Sequence, residues 1–446
     1  MAKSIAQRGG SRLYSSEMIF ACIAVAFASG GLDLLVTNST GVVERMSSGS
    51  SSWTARLLAF PAYLYVFYAI LMNPRRYWSG LMATGWLGVL ILMAAASTVW
   101  SMAPIDTLIR AVLLLAISMF SVALAVRFPR DQLLLVLGGG LLITFLAGMV
   151  ALVVAPSIAQ HQDSLKPAIR GLFLQKNITG RTYVIGVLIG LALMWSRRAV
   201  MLGRIMTACF MAGIFLSLSA SALLNMIWAI AFLPLVALYR RSPRMGFLVT
   251  VLLIAFAVLF VMSGAFDYLY TETLAALGKD PTLTNRTFIW EKLIERLREG
   301  GWILGYGYDG FWNSPNGAVL TFDARYFVPG HAHNGLIQTI VAFGVIGGGL
   351  LIIAYAVLLV QKIRLTSNNP DRLASFDLTY VIYFFLANMT EQSVMEYQSM
   401  LWITLVTVAC LPNDKINPSR RPLMGRAPNL KAAAQGRPDD SPEFLA

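Results

Sequence analysis

The stretch Gly330-His331-Ala332-His333-Asn334-Gly335 holds two of the three histidines in the chain, the third being His161. Imidazole is the side chain whose ordinary pKa permits proton exchange near neutrality, so His331 and His333 are the first candidates for acid–base chemistry. Charged residues also cluster at the ends of apolar runs: Arg56, Arg110, Arg170, Lys176, Arg181, Arg286, Asp33, Asp267 and Glu391. Arginine suits a diphosphate, because its planar fork gives two parallel charge-assisted hydrogen bonds and stays charged when partly desolvated. Any one of these arginines has a plainer reading, since long basic side chains snorkel or hold loops at interfaces. Asn334 is placed either to orient an imidazole ring or to hold a sugar hydroxyl. The His-x-His pair raises metal binding, but no Cys or Glu stands at zinc-ligand spacing and there is no His-Glu-x-x-His motif. No metal and no cofactor are therefore expected.

The elements that must carry these residues are apolar. Of 446 residues 57% are hydrophobic and only 13% charged, against about 25% charged in a soluble globular chain. The mean hydropathy is +0.66 and the isoelectric point about 9.8. The net charge of +13 points away from nucleic acid, because the excess Lys and Arg sits in short loops between apolar runs, as the positive-inside rule requires. The three cysteines, Cys22, Cys209 and Cys410, lie inside apolar runs and suggest no disulfide framework. No cleavable signal peptide is evident.

About twelve spans are expected, near 18–36, 55–72, 80–100, 107–126, 132–155, 177–195, 201–216, 222–238, 246–263, 333–360, 375–389 and 397–411. Every inner turn in this layout carries two or more Lys or Arg. The chain then divides into a cytoplasmic N-terminus (1–17), nine spans (18–263), a large outer loop (264–332), three spans (333–411) and a disordered cytoplasmic tail (412–446). The ionisable groups fall at outer ends of spans and converge on one external face. A transporter would place such groups near the bilayer midplane on interrupted helices, so the pattern fits better a site that takes a charged headgroup from the outer leaflet.

Within the outer loop, Trp290, Leu293, Ile294 and Leu297 recur at helical spacing among charges, which predicts an amphipathic helix. Asn285 or Thr287 can cap its start, and Gly300-Gly301 can end it. The following run from Trp302 to Trp312 mixes glycines with aromatic rings on which sugars can stack; ordinary interfacial aromatics are the simpler reading.

Taken together these residues resemble the bacterial O-antigen ligase and exopolysaccharide polymerase family. His333-Asn334-Gly335-Leu336 with Ile340 to Phe343 and Gly344-Val345-Ile346-Gly347 is similar to its signature. Trp100-Ser101, Pro104, Thr107-Leu108 and Arg110 resemble its third-to-fourth span turn, and Arg170-Gly171-Leu172-Phe173 with Lys176-Asn177 its Arg-Gly-x-Phe-x-x-Lys-Asn stretch. Asn285-Arg286 with Trp290, then Leu304-Gly305-Tyr306-Gly307, resemble the large-loop helix, and Thr390-Glu391 the last outer turn. The likeness covers about residues 15 to 411.

The resemblance implies an all-α, GT-C-like membrane glycosyltransferase of the bacterial inner membrane, with its active site facing the periplasm. It would work by metal-independent, inverting transfer on undecaprenyl-diphosphate-linked saccharides as donor and acceptor. His333 would be the catalytic histidine and Arg286 would hold the donor diphosphate. Arg110, Arg170, Lys176, Asn177, Arg181, Trp290, His331, Asn334 and Glu391 would line the substrate site. Membrane lipids, a chain-length regulator and other exopolysaccharide assembly proteins are the implied partners. The family often carries a basic residue in a Ser-x-Ser-Arg/Lys turn, where Ser217-Leu218-Ser219-Ala220 here has alanine; Arg170, Lys176 and Arg181 are the candidates to replace it. The first expectation is a polymerase that extends exopolysaccharide. The second is an O-antigen ligase with a lipid A-core acceptor. The third, from another class, is a transporter of the lipid-linked unit.

Overall fold

The computed structural model describes residues 2–37, 59–161, 167–262, 286–322 and 328–411. The expected tail, the cap at Asn285, and Arg56 and Asp267 lie outside these residues. The described chain is helical apart from one pair of two-residue strands, β1 (Gln160–His161) against β2 (Ala168–Ile169). Its principal helices are α1 (Ala2–Ala28), α2 (Phe60–Met72), α3 (Pro74–Met82), α4 (Trp86–Ala96), α5 (Pro104–Arg127), α6 (Arg130–Val154), α7 (Lys176–Ser196) and α8 (Val200–Leu216). They continue with α9 (Ala220–Ala231), α10 (Leu233–Arg241), α11 (Pro243–Met262), α12 (Arg286–Arg296), α13 (Gly335–Asn368), α14 (Ala374–Thr390) and α15 (Met400–Cys410). Prolines stand in the first turn of α3, α5 and α10, where the missing N–H would have had no helical partner.

Every residue of α15 is buried, so it forms the middle of the bundle. It packs on α5, where the Trp402 indole donates to Ser118 Oγ at 3.0 Å. Helices α7 and α8 approach closely because glycines face each other: a Cβ on Gly203 would lie 2.7 Å from the Gly190 carbonyl oxygen. Small residues at such crossings are how helices pack where lipid removes the hydrophobic drive between them. Outward faces are apolar, as at Phe247, Leu252 and Phe256 on α11, which suits contact with acyl chains.

Among the described residues five helices are long and apolar enough to cross a membrane, or six if a bent pair counts as one span. That pair is α3 with the helical segment that α4 opens, and it corrects the expected continuous span at 80–100: the chain bends by 88° between Met82 and Trp86. The cause is local, since Gly85 adopts φ +54° and opens α4 from outside the helical region.

The long helix α13 is also broken, at Gly344 (φ +65°). The chain at 302–307 docks into the break. Tyr306 and Gly307 donate their N–H groups to the carbonyls of Val341 and Ala342, each at 2.9 Å, and Val345 N–H donates to the Trp302 carbonyl at 2.9 Å. Gly305 (φ +65°) is the contact residue: a Cβ there would lie 2.4 Å from Phe343 N. Gly305→Ala is therefore expected to undock this segment, seen as a lower melting temperature and faster proteolysis after Trp302. Unchanged protection would contradict the docking.

Helix α12 corrects the expected stripe by one position. Ile289, Leu293 and Leu297 are buried, whereas Ile294 is 38% exposed and Trp290 half-buried. Its last turn opens at Gly300-Gly301, as the sequence predicts. The aromatic run after it serves packing: Tyr306 stacks on Phe311 at 5.6 Å and Tyr308 on Phe343 at 6.4 Å.

Ion pairs tie the basic end of the bundle. Arg127 forks onto Glu17 with both contacts at 2.7 Å. Arg130 forks onto Asp377, and Arg198 bridges Asp131 and Asp371. Arg240 donates to the carbonyls of Asn369, Pro370 and Asp371.

Candidate active site

At the opposite end four helix starts meet one helix finish. The N-termini of α7, α9, α12 and α13 surround the turn that follows α14. Glu391, the first residue beyond α14, is the hub. His333 Nδ1 lies 3.1 Å from its Oε2. Arg286 Nη2 donates to Oε1 at 2.9 Å, and Asn177 Nδ2 donates to the same oxygen at 3.2 Å. Asn177 in turn accepts from Ser219 Oγ at 3.0 Å, which ties the turn before α9 into the group. The helix starts add their partial positive charges, which favour an anion there.

His333 sits in the left-handed region (φ +50°), a conformation that costs a non-glycine residue on the order of 1 kcal/mol or more and concentrates at functional sites. The turn is held from both sides. His333 N–H donates to His331 Nδ1 at 3.2 Å, and Trp290 Nε1 donates to the Ala332 carbonyl at 2.8 Å. Asn334 has a structural task at the start of α13, and its Nδ2 lies 3.4 Å from the Met389 carbonyl. Its Oδ1 accepts from Leu336 N (3.0 Å) and Ile337 N (3.1 Å) and caps α13. Gly335 lets this start press on α14, since a Cβ would lie 2.5 Å from Asn388 Oδ1.

The electrostatics follow from this packing. Burial pushes the Glu391 carboxyl up, but the hydrogen bond from His333 and the charges of Arg181 and His333 outweigh it and bring it down to about 2. It is thus a carboxylate at any physiological pH. Burial, then the neighbouring His333, lowers His331 to about 3 against the upward pull of Glu391, with Arg181 and Arg286 adding to the lowering. A neutral His331 is what its role as acceptor for the His333 N–H requires. The unfolded chain binds this proton near pH 6.5, the folded site only near 3. Stability from His331 is therefore complete above pH 6.5 and declines as the pH falls toward 3. The melting temperature of His331→Gln should depend less steeply on pH over that window; an unchanged slope would contradict this.

The other cations divide. Arg181, 6% exposed, pairs with Glu396 at 3.2 Å, donates to the Gln392 carbonyl and leaves its Nε buried without a partner. Lys176 is half-exposed at the first turn of α7 and makes no ion pair among the described residues. Arg170 does not reach the carboxylate: it donates to the carbonyls of Ile158 (3.0 Å) and Leu174 (3.2 Å) and fastens its own loop. Arg110 belongs to a neighbouring cluster with Asp309 (3.1 Å) and Asn313 (3.0 Å). Near the missing basic residue at Ala220, Ser219 and Asn177 are the groups that connect to Glu391. Glu396 and Asp309 are functional-site neighbours that the sequence does not single out, because a lone carboxylate in a turn carries no signal.

His331, His333 and Glu391 each offer one ligand atom within 4.8 Å of the others, so a carboxylate does join the two histidines in space. Arg286 and Arg181 stand on this carboxylate's surroundings, and both lone pairs of Oε1 are engaged. Such a positive surround opposes a dication and suits an anion.

Comparison with known proteins agrees in direction. The O-antigen ligase family matches residues 205–353, from α8 into α13, and so includes Arg286 and His333. An exopolysaccharide production protein, ExoQ of Rhizobium meliloti (strain 1021), is 30% identical over 120 residues. That alignment covers 26% of this chain and spans about a quarter (26%) of the length of ExoQ.

Proposed function

We propose that this chain, a member of the O-antigen ligase and exopolysaccharide polymerase family, joins undecaprenyl-diphosphate-linked repeat units into exopolysaccharide. The protein would cross the inner membrane about twelve times in a GT-C-like arrangement, with the Glu391 end facing the periplasm and the ion-paired basic end facing the cytoplasm. The observation that carries the reading is the shared carboxylate: Glu391 holds His333 through one oxygen and Arg286 through the other.

With Glu391 ionised, His333 Nδ1 keeps its hydrogen and donates it to Oε2, which leaves Nε2 with a lone pair. An acceptor hydroxyl placed against Nε2 gives up its proton as its oxygen attacks the anomeric carbon of the donor sugar. The bond from that carbon to the diphosphate oxygen breaks, and the lipid diphosphate leaves with the electron pair. The imidazolium formed is stabilised by the adjacent carboxylate. Arg286, Lys176 and the buried Nε of Arg181 meet the negative charge that grows on the leaving group. The chemistry needs no metal, since arginines and helix starts supply the positive charge. ATP is absent outside the inner membrane, so the donor must arrive activated, as a lipid diphosphate does.

A lysine at position 286 keeps the charge and loses the fork. Arg286→Lys should therefore lower transfer by about tenfold or more, measured as product formed per protein; full activity would remove the bidentate role. The lipid-linked saccharides of cells lacking the protein test the function itself. Single repeat units accumulating on the outer leaflet support a polymerase. Long chains retained on the lipid would instead identify the ligase reading, and units trapped on the inner leaflet a transporter. The relative's role in exopolysaccharide production supports an exopolysaccharide product over a lipid A-core one.

A further inference from the structure

Far from His333, at the basic end of the bundle, a cavity of about 410 Å³ opens between α7, the start of α10 and the start of α14. That volume lies within the range of about 300–1,000 Å³ typical of ligand sites. Its walls are apolar, with Leu188, Leu191, Ala192 and Phe376 among them. Two lining groups are polar and unspent. Ser375 is 2% exposed, and its Oγ is buried with no hydrogen-bond partner, a state that costs about 1–3 kcal/mol when nothing occupies the space beside it. Arg372 lies at the exposed rim. Its Nη1 makes one bond, to the Trp195 carbonyl at 3.3 Å, and it joins no ion pair among the described residues. Arg197, at the end of α7 beside Trp195, is likewise exposed and unpaired among the described residues.

The neighbours of this site show that its free cations are a local feature. Arg198 beside Arg197 is matched by Asp131 and Asp371, and Arg130 by Asp377. Arg372, on the rim itself, has no carboxylate partner among the described residues, and it stands beside an apolar slot and a serine hydroxyl in want of a partner. Apolar walls, a hydroxyl donor at the slot and the Arg372 guanidinium at the mouth are complementary to an amphiphile: hydrocarbon within, an anionic head outside. The residues stand at the end of the bundle that the positive-inside rule places against the cytoplasmic leaflet, where anionic headgroups attract juxtamembrane arginines.

We infer that this cavity binds an anionic glycerophospholipid of the cytoplasmic leaflet, with one acyl chain between α7 and α14, the phosphate on Arg372 and an ester or phosphate oxygen accepting from Ser375 Oγ. The site is separate from the Glu391 group and does not depend on the reading of that group. It would hold the inner ends of α7 and α14 to the start of α10; α7 and α14 present Lys176, Asn177 and Glu391 at their other ends.

The test uses the full chain purified in mild detergent and offered phosphatidylglycerol or phosphatidylethanolamine, with retained lipid counted by native mass spectrometry. Wild type should retain phosphatidylglycerol in preference. Arg372→Gln, an exposed change that leaves the core intact, should retain about tenfold less, as loss of one charge-assisted contact implies. Ala192→Trp fills the slot and should abolish retention of that lipid; should this variant not fold, Arg372→Gln still decides. Equal retention of the two lipids, or undiminished phosphatidylglycerol on Arg372→Gln, would overturn the inference. Preferential retention of undecaprenyl phosphate over phosphatidylglycerol would overturn it as well, since the occupant would then be a different lipid.

Discussion

His333→Ala should lower glycosyl transfer by about 100- to 10,000-fold, the range that loss of a positioned general base produces. The protein should reach the membrane at its normal level, because the ring is a quarter exposed and α13 keeps its Asn334 cap. Alanine relieves none of the strain at φ +50°, and His333→Gln, which keeps a polar side chain there, serves as the control that the loss reports on the ring. Added imidazole should restore part of the rate, since the space vacated lies between Glu391 and the acceptor. Full activity of His333→Ala would remove the base and would favour a transporter, which has no need of one.

Glu391→Gln should be nearly as damaging, by a different route. Glutamine preserves size but can offer its amide N–H to His333 Nδ1. That hydrogen bond would stabilise the tautomer with the proton on Nε2, the atom that must accept one. A loss of roughly 100- to 10,000-fold in kcat is expected from a wrong tautomer, with KM for the donor unchanged or lower because Arg286 is released from its carboxylate. This split separates a positioning residue from a substrate ligand. A raised KM with kcat intact would show that Glu391 contacts the donor itself, the role that the family resemblance implied.

Much of the site could be read from residue types, but its connections could not. His333 stands out by type and by the run around it. Glu391 joins partners 58, 105 and 214 positions away in the chain, at His333, Arg286 and Asn177. No spacing rule reaches that far. Asn334 carries a second signal: a lone Asn just before an apolar run is a helix cap, and its Oδ1 does cap α13. Arg170 and Arg110 are indistinguishable by type from Arg286, and only the contacts separate them: Arg170 bonds the carbonyls of Ile158 and Leu174, Arg110 the carboxylate of Asp309, and Arg286 that of Glu391.

The fold shows the same division. The apolar runs expected at 107–126, 132–155 and 177–195 correspond to α5, α6 and α7, because composition and flanking Pro or Arg mark helix ends directly. The breaks at Gly85 and Gly344 are hidden inside apolar runs. Gly85 is called for by its φ of +54° alone, with nothing near its Cβ position, whereas Gly344 admits the Trp302–Gly305 stretch, whose Ile303 carbonyl oxygen would lie 2.1 Å from any Cβ. The stripe on α12 was misphased because Ile289 lies outside the set Trp290, Leu293, Ile294 and Leu297, and only the packing of Ile289 against the loop around Phe311 shows which face turns inward.

The most direct test of the account is transfer by the purified protein itself. The chain is reconstituted in vesicles with lipid-diphosphate-linked repeat units, without ATP or divalent metal, and the saccharides are sized by mass spectrometry. Wild type should yield lipid-linked oligomers of two and more units, and His333→Ala and Glu391→Gln single units alone. Oligomers formed equally by all three proteins, or by none except when a divalent metal is supplied, would contradict the carboxylate-held histidine as the centre of the reaction.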